Sequence, residues 1–424
     1  MSARDVIPSS LAEQIDSAAQ AVEARVLAWR RDLHQHPELG NREFRTAAIV
    51  AAHLRELGLD EVRTEVAHTG VIGVLKGALP GPTVALRADM DGLPVTEQVD
   101  VPFASKARTQ WNGEEVGVMH ACGHDCHVAI LMGVAEVLSG LRGQLRGTVK
   151  FIFQPAEEGA PEGEEGGAKM MIQQGALEKP LPQAIFGLHV TSRLPVGIIG
   201  YRPGPTMAST DRFSITIHGK QTHGAAPWLG VDPIVTAAQV VLGLQTVVSR
   251  GVDIAREPAV VTMGMIRGGV RENIIPDEVE MRGTIRSFDE DMRDDIHQRV
   301  TTLAESISRG SRAGCTVCIN KNYPVTINDP ALTEAMVPTL ERVAGPGRCQ
   351  LVPKVTGAED FSFFQRVIPG LFFFVGVTPE GIDPAKTYSN HSPKFFADER
   401  GLVVGVRALA HLASDFLESD ATAR

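Results

Sequence analysis

Residues 119–158 read MHACGHDCHVAILMGVAEVLSGLRGQLRGTVKFIFQPAEE. Three signals follow one another in this stretch. His120, Cys122, His124, Asp125, Cys126 and His127 crowd imidazole, thiol and carboxylate around Gly123, and donors of that softness packed this densely usually hold a transition metal. His127–Leu141 then carries a Leu/Met/Val/Ala face and reads as a helix. Thr148–Gln154 is a short apolar, aromatic run that reads as a buried strand, and it leads into Pro155-Ala156-Glu157-Glu158. A helix feeding a strand whose far end is acidic is the working unit of an α/β fold, in which ligands gather beyond the carboxyl ends of strands.

Working outward, the same alternation recurs. Val71–Lys76 and Thr83–Arg87 are short apolar runs bounded by Gly and Pro, and the second runs into Ala88-Asp89-Met90-Asp91. Ala184–His189 is a further strand ending on an imidazole, and Leu371–Val377 leads toward Asn390-His391. Helices are expected at Leu11–His36, which Pro37 ends, and at Arg45–Leu57, which Gly58 ends. Others fall around Ala168–Gln174, at Leu332–Val343 and at Glu399–Leu417. These elements imply an α/β domain with a largely parallel sheet.

The texture changes after Arg193. Strands Ile198–Arg202 and Arg212–Gly219, a helix Asp232–Arg250, strands Ala259–Ile266 and Glu278–Ser287, a helix Glu290–Arg309 and a strand Cys315–Asn320 make an antiparallel sheet covered by two helices. The simplest account is a discontinuous α/β domain, 1–195 and 323–424, interrupted by an inserted α+β domain, 196–322.

Bulk properties narrow the function. A chain of 424 residues exceeds one ordinary core, so two domains are the default. The net charge is -10 and no Lys/Arg block interrupts it, which argues against nucleic acid and anionic membrane as partners. Met1–Asp16 has acidic residues and no apolar core run, so no signal peptide is expected. No apolar stretch approaches the roughly 18 residues of a membrane helix. Five cysteines outside any disulfide framework, with Cys315 and Cys318 read as ordinary reduced thiols, fit a cytoplasmic protein.

Each candidate site residue has a plainer reading when taken alone. His189 after a strand is ordinarily a satisfied structural histidine. Glu157-Glu158 before a Gly-rich loop is ordinarily a solvated turn, and Asp89 and Asp91 cap turns. Cys122-Gly-His124 is a weaker metal signal than a CxxC pair. Together they reinforce one another, because four independent strand ends would each have to be polar by accident.

Several stretches resemble the M20 metallopeptidases, in particular the aminoacylase branch with its hippurate hydrolases and auxin–amino acid conjugate hydrolases. They are Arg31–Gly40, Arg87–Pro94, Met119–His127, Gln154–Gly159, Gly187–His189, His223–Pro227, Asn273–Pro276, Gly357–Phe361 and Asn390-His391. They span nearly the whole chain in the order found in that family. The resemblance implies a catalytic α/β domain and an inserted lid and dimerisation domain. It implies Cys122, His124, Glu158, His189 and His391 as ligands of two divalent cations, with Cys122 bridging. Zn, Co or Ni suits the thiolate, and Mn remains open through the carboxylate and imidazoles. Asp91 would orient a ligand, while His120, Cys126 and His127 would support the loop.

By the same resemblance Glu157 is the general base and acid, deprotonating a metal-bound water and protonating the departing amine. His223 would act across a homodimer on the oxyanion. Asn273 and Arg286 would bind the substrate's carboxylate and nearby polar groups, with Arg286 alternatively a surface ion pair. The implied activity is hydrolysis of the amide bond of N-acyl-L-amino acids, hippurate-like or similar. A dipeptidase or carboxypeptidase of the same architecture is the competing enzyme, and a non-catalytic binding protein the competing class. Peptidase branches typically carry a His-x-Asp ligand pair; here Asp89 stands at the position of that histidine.

Overall fold

The computed structural model describes residues 10–422, Asn112 excepted. The first nine residues of Met1–Asp16, the segment bearing on a leader, lie outside that range. The chain forms two compact units. One comprises Met1–Gly204, Asn328–Val352 and Phe363–Arg424, the other Pro205–Ile327 and Pro353–Ser362.

The first unit is built on an eight-stranded sheet in the order Glu61–Val66, Gly70–Lys76, Arg146–Gln154, Leu79–Asp89, Ala184–Pro195, Gly370–Thr378, Ile199–Tyr201, Cys349–Leu351. The four central strands are mutually parallel. On one side Gly70–Lys76 joins them antiparallel, and on the other Ile199–Tyr201 does. Central parallel strands are buried on both faces, so they read as unbroken apolar runs rather than as alternation. Val149, Phe151, Ile152 and Phe153 are fully buried in succession, as are Leu371, Phe372 and Phe373. Lys150 sits among them and satisfies its amine on the carbonyls of Ala176 and Glu178.

Helices Leu11–Gln35, His124–Gly140 and Arg400–Thr422 pack on one another. His124–Gly140 is buried nearly all round, which is why its apolar face was broad rather than a stripe. It begins three residues before the expected His127, because its polar first turn is also interior.

In the second unit, strands run in the order Ala259–Gly268, Glu278–Ser287, Asp211–His218, Gly314–Lys321, all antiparallel. Phe213, Ile215 and Ile217 alternate inward and meet Ala237, Val240 and Leu244 of helix Pro233–Gly251 and Ile296, Val300 and Ala304 of helix Glu290–Gly310. Asp232 and Asp289 cap the two helices by accepting first-turn amides.

Three expectations are corrected. The strand at Ile199–Tyr201 belongs to the first unit, because it pairs with Gly370–Thr378 and Cys349–Leu351. Residues 353–362 belong to the second: Val355 N–H donates to the Thr206 carbonyl, and Ala208 N–H to the Val355 and Gly357 carbonyls. Helix Pro233–Gly251 is long and apolar enough to cross a membrane by length and composition. One of its faces covers the antiparallel sheet, while Ile234, Val235 and Leu242 on it are exposed.

Candidate metal centre

The five residues expected as ligands come together in the first unit. Cys122 Sγ lies 3.3 Å from His189 Nε2 and 3.2 Å from His391 Nε2. His391 Nε2 is 2.9 Å from Glu158 Oε1. Cys122, His124 and His189 present donor atoms all within 4.8 Å of one another, and so do Cys122, Glu158 and His391. The thiol is therefore common to two triads.

Each donor is aimed by its local structure. Gly123 takes φ 95° and starts helix His124–Gly140. A Cβ there would stand 2.4 Å from Val190 Cγ2, so only glycine lets the loop lie against the strand that carries His189. That strand continues to Pro195, which places His189 within it rather than at its end. His189 donates Nδ1–H to the Val190 carbonyl at 2.7 Å, which leaves Nε2 as the lone-pair nitrogen facing Cys122. His391, at φ 71°, donates its backbone N–H to the Ala121 carbonyl.

Asp91 is buried and serves two donors. Its Oδ1 lies 3.1 Å from His124 Nδ1, and its Oδ2 accepts the Glu158 N–H at 2.9 Å. His124 Nε2 is buried with no hydrogen-bond partner among the described residues. Glu157, 5% exposed, approaches it with Oε2 at 3.9 Å.

The electrostatics call for positive charge. Burial lowers the His124 pKa, but Asp89, Asp91 and Glu158 outweigh it and push it up to about 10. Burial, then Glu158 and Glu157, holds the Cys122 thiol well above its usual value. Burial, then His127 and His124, keeps His189 neutral with its lone pair free. Thiol, imidazoles and carboxylate converging with an orphaned Nε2 fit a pair of borderline-soft divalent cations.

Supporting residues were legible in part. His127 bonds Asp89 Oδ1 at 2.6 Å through Nδ1 and accepts the Val190 N–H through Nε2, so neither nitrogen is free to ligate. Asp89 is further paired with Arg87. In the sequence Asn390 stands out only as the neighbour of His391. Its Nδ2 donates to the Cys122 and Val190 carbonyls and its Oδ1 accepts the Ser192 N–H, which ties the ligand loop to the His189 strand. His120 is buried with both ring nitrogens lacking a hydrogen-bond partner among the described residues.

His223, Asn273 and Arg286 lie in the second unit. Two-residue strands Thr222–His223 and Ile274–Ile275 pair, and Gly224 N–H donates to the Asn273 carbonyl, so His223 and Asn273 are neighbours and both are exposed. Arg286, on strand Glu278–Ser287, is half-buried, and its Nη1 is buried without a hydrogen-bond partner among the described residues.

The profile of Peptidase family M20/M25/M40 matches residues 85–415, and the chain belongs to that family. It is a hydrolase of amide bonds. It is 39% identical over 407 residues to thermostable carboxypeptidase 2 of Saccharolobus solfataricus, covering 96% of this chain and 99% of that protein. It is 38% identical to N-acetylcysteine deacetylase of Bacillus subtilis, over 95% of this chain and 99% of the relative. The solved Bacillus subtilis YXEP protein, described as a dinuclear metal binding peptidase from the M20 family, matches with a TM-score of 0.78 at 37% identity, over 94% of this chain and 99% of that one.

Proposed function

We propose that this protein is a two-cation amidohydrolase that cleaves N-acyl-L-amino acids into a carboxylic acid and a free amino acid. The observation that carries the reading is the sharing of Cys122 between two donor triads, with Glu157 beside them and in neither. Cys122, His124 and His189 would hold one cation, and Cys122, Glu158 and His391 the other. Two such cations, when bound, lower the pKa of water and polarise a carbonyl oxygen.

Glu157 does the proton work. It takes a proton from the attacking water as the new C–O bond forms, then delivers it to the amide nitrogen as the C–N bond breaks. Its burial limits its contact with bulk solvent. Asp91 holds His124 and the Glu158 backbone while this happens.

The second unit serves as lid and dimerisation element of a cytoplasmic homodimer in this reading. His223 acts on the oxyanion of the partner subunit's site, which its exposed position on a short paired strand supports. Asn273 and Arg286 receive the substrate's carboxylate, and the unpartnered Nη1 of Arg286 supports that role.

The second reading is a carboxypeptidase, favoured by the relative of that name. Against it, Asp89 is held by Arg87 and His127 at the position where the resemblance implies a ligand histidine in the peptidase branches. The deciding experiment reconstitutes the protein with Zn, Mn, Co or Ni and measures turnover of N-acyl-amino acids beside dipeptides and longer peptides. Higher kcat/KM on the acyl-amino acids supports the proposal, and preference for peptides transfers the protein to the second reading.

A further inference from the structure

Ala156, immediately before Glu157, has φ 52°, a left-handed conformation that an L-residue holds only when its surroundings impose it. The turn that presents Glu157 and Glu158 therefore needs an external restraint. Asp91 supplies one by taking the Glu158 N–H. The other comes from a carboxyl 113 residues earlier: Glu43 Oε1 accepts the Ala156 N–H at 2.8 Å.

Glu43 occupies the N-cap position of helix Phe44–Glu56, where a side-chain acceptor ordinarily serves its own helix, yet it makes no capping bond. Glu38 does that work instead, accepting the N–H groups of Arg45 and Thr46 at 2.9 and 2.8 Å. Glu43, fully buried, is left free to point at the turn, and the Thr69 hydroxyl donates to its Oε2 at 2.5 Å. The approach is close. A Cβ on Gly40 would lie 2.8 Å from the Gly159 carbonyl oxygen and 3.1 Å from Ala156 Cβ.

We infer that Glu43 is a positioning residue that clamps the Ala156 amide and so fixes the carboxylate of Glu157, an inference that rests on the amidohydrolase reading above. Its work on the turn is that of an oxygen acceptor, Oε1 taking the Ala156 N–H; burial and then the Asp91 carboxylate push its pKa up. Glutamine can do the same, with Oε1 on Ala156 N–H and Nε2 donating to the Thr69 oxygen; leucine cannot.

The test compares Glu43→Leu, Glu43→Gln and Thr69→Val in the full chain loaded with Zn, by kcat and KM, by metal content and by hydrogen exchange of the peptide spanning 154–159. Losing a buried hydrogen bond should speed exchange in Glu43→Leu by about 10- to 100-fold, and lower kcat by a similar factor. KM and metal content should hold. Glu43→Gln should restore both readouts to within a few-fold, and Thr69→Val should fall between. Wild-type kcat and exchange in a folded Glu43→Leu protein would overturn the inference, as would Gln and Leu variants equally impaired. If Glu43→Leu does not fold, Thr69→Val decides alone, and wild-type kcat and exchange in it overturn the inference. If the unaltered protein hydrolyses no amide, the exchange readout still tests the clamp while the proposed activity fails separately.

Discussion

Asp91 and His124 meet through Oδ1 and Nδ1 at 3.1 Å, both fully buried, while the other oxygen of the same carboxylate holds the Glu158 amide. One side chain thus aims a donor for each of the two triads. Asp91→Ala should weaken cation binding by about 10- to 100-fold. The check is a metal titration followed by dialysis and elemental analysis. Unchanged affinity would remove Asp91 from the centre.

Sharing of the thiol makes a stoichiometric prediction. Cys122→Ala should lose both cations, because each triad falls to two donors, whereas His391→Ala should keep about one of the two expected of such a centre. Native mass spectrometry reads the difference directly. Equal stoichiometry in the two variants would mean that Cys122 serves one cation only.

Glu157 stands beside the donors without belonging to either triad that shares the thiol. Glu157→Gln should reduce kcat by about 10²- to 10⁴-fold with metal content unchanged. Mixing Glu157→Gln chains with His223→Ala chains should regain activity if His223 works in its partner, since half-and-half dimers then contain one intact site. Mixed samples no more active than either parent would rule out that exchange.

The second unit has a buried ion cluster of its own. Asp211 receives Arg293 Nε at 2.8 Å and Nη2 at 2.5 Å, His297 Nε2 at 2.6 Å and the Asn322 N–H. Burial raises its pKa, but the bonds from Arg293 and His297 prevail and bring it to about 2. A depressed carboxylate stabilises the fold above its unfolded value of about 3.9 and loses that contribution as pH falls toward 2. Asp211→Asn should therefore cost about 3 kcal/mol at pH 7 and much less near pH 2. Hydrogen exchange in helix Glu290–Gly310 at the two pH values tests this. An equal cost at both would assign the loss to packing.

What the sequence made legible was whatever repeats or crowds. Phe372, Phe373 and Phe374 announce an interior strand, and Cys122 and His124 announce a donor cluster. Strand Glu61–Val66 leaves no signal in the sequence because, at the sheet edge, its exposed residues Glu61, Thr64 and Glu65 carry no alternation. Cys349–Leu351 is too short to leave a period. Residues 353–362 join the second unit through backbone hydrogen bonds, which have no residue signature. Glu43 was invisible for a related reason: its partner is an amide, and any residue but proline supplies one.

The strand Gly370–Thr378 lies between Ala184–Pro195 and Ile199–Tyr201, and His391 follows it. During synthesis, residues 205–327 and 353–362, the parts of the second unit, leave the ribosome before that strand does, so the sheet of the first unit has a gap until then. The last donor to arrive closes the triad of Cys122 and Glu158. A chain that stops short of His391 thus carries at most one of the two triads that share Cys122, and the order of translation makes the triad of Cys122, Glu158 and His391 the later to form.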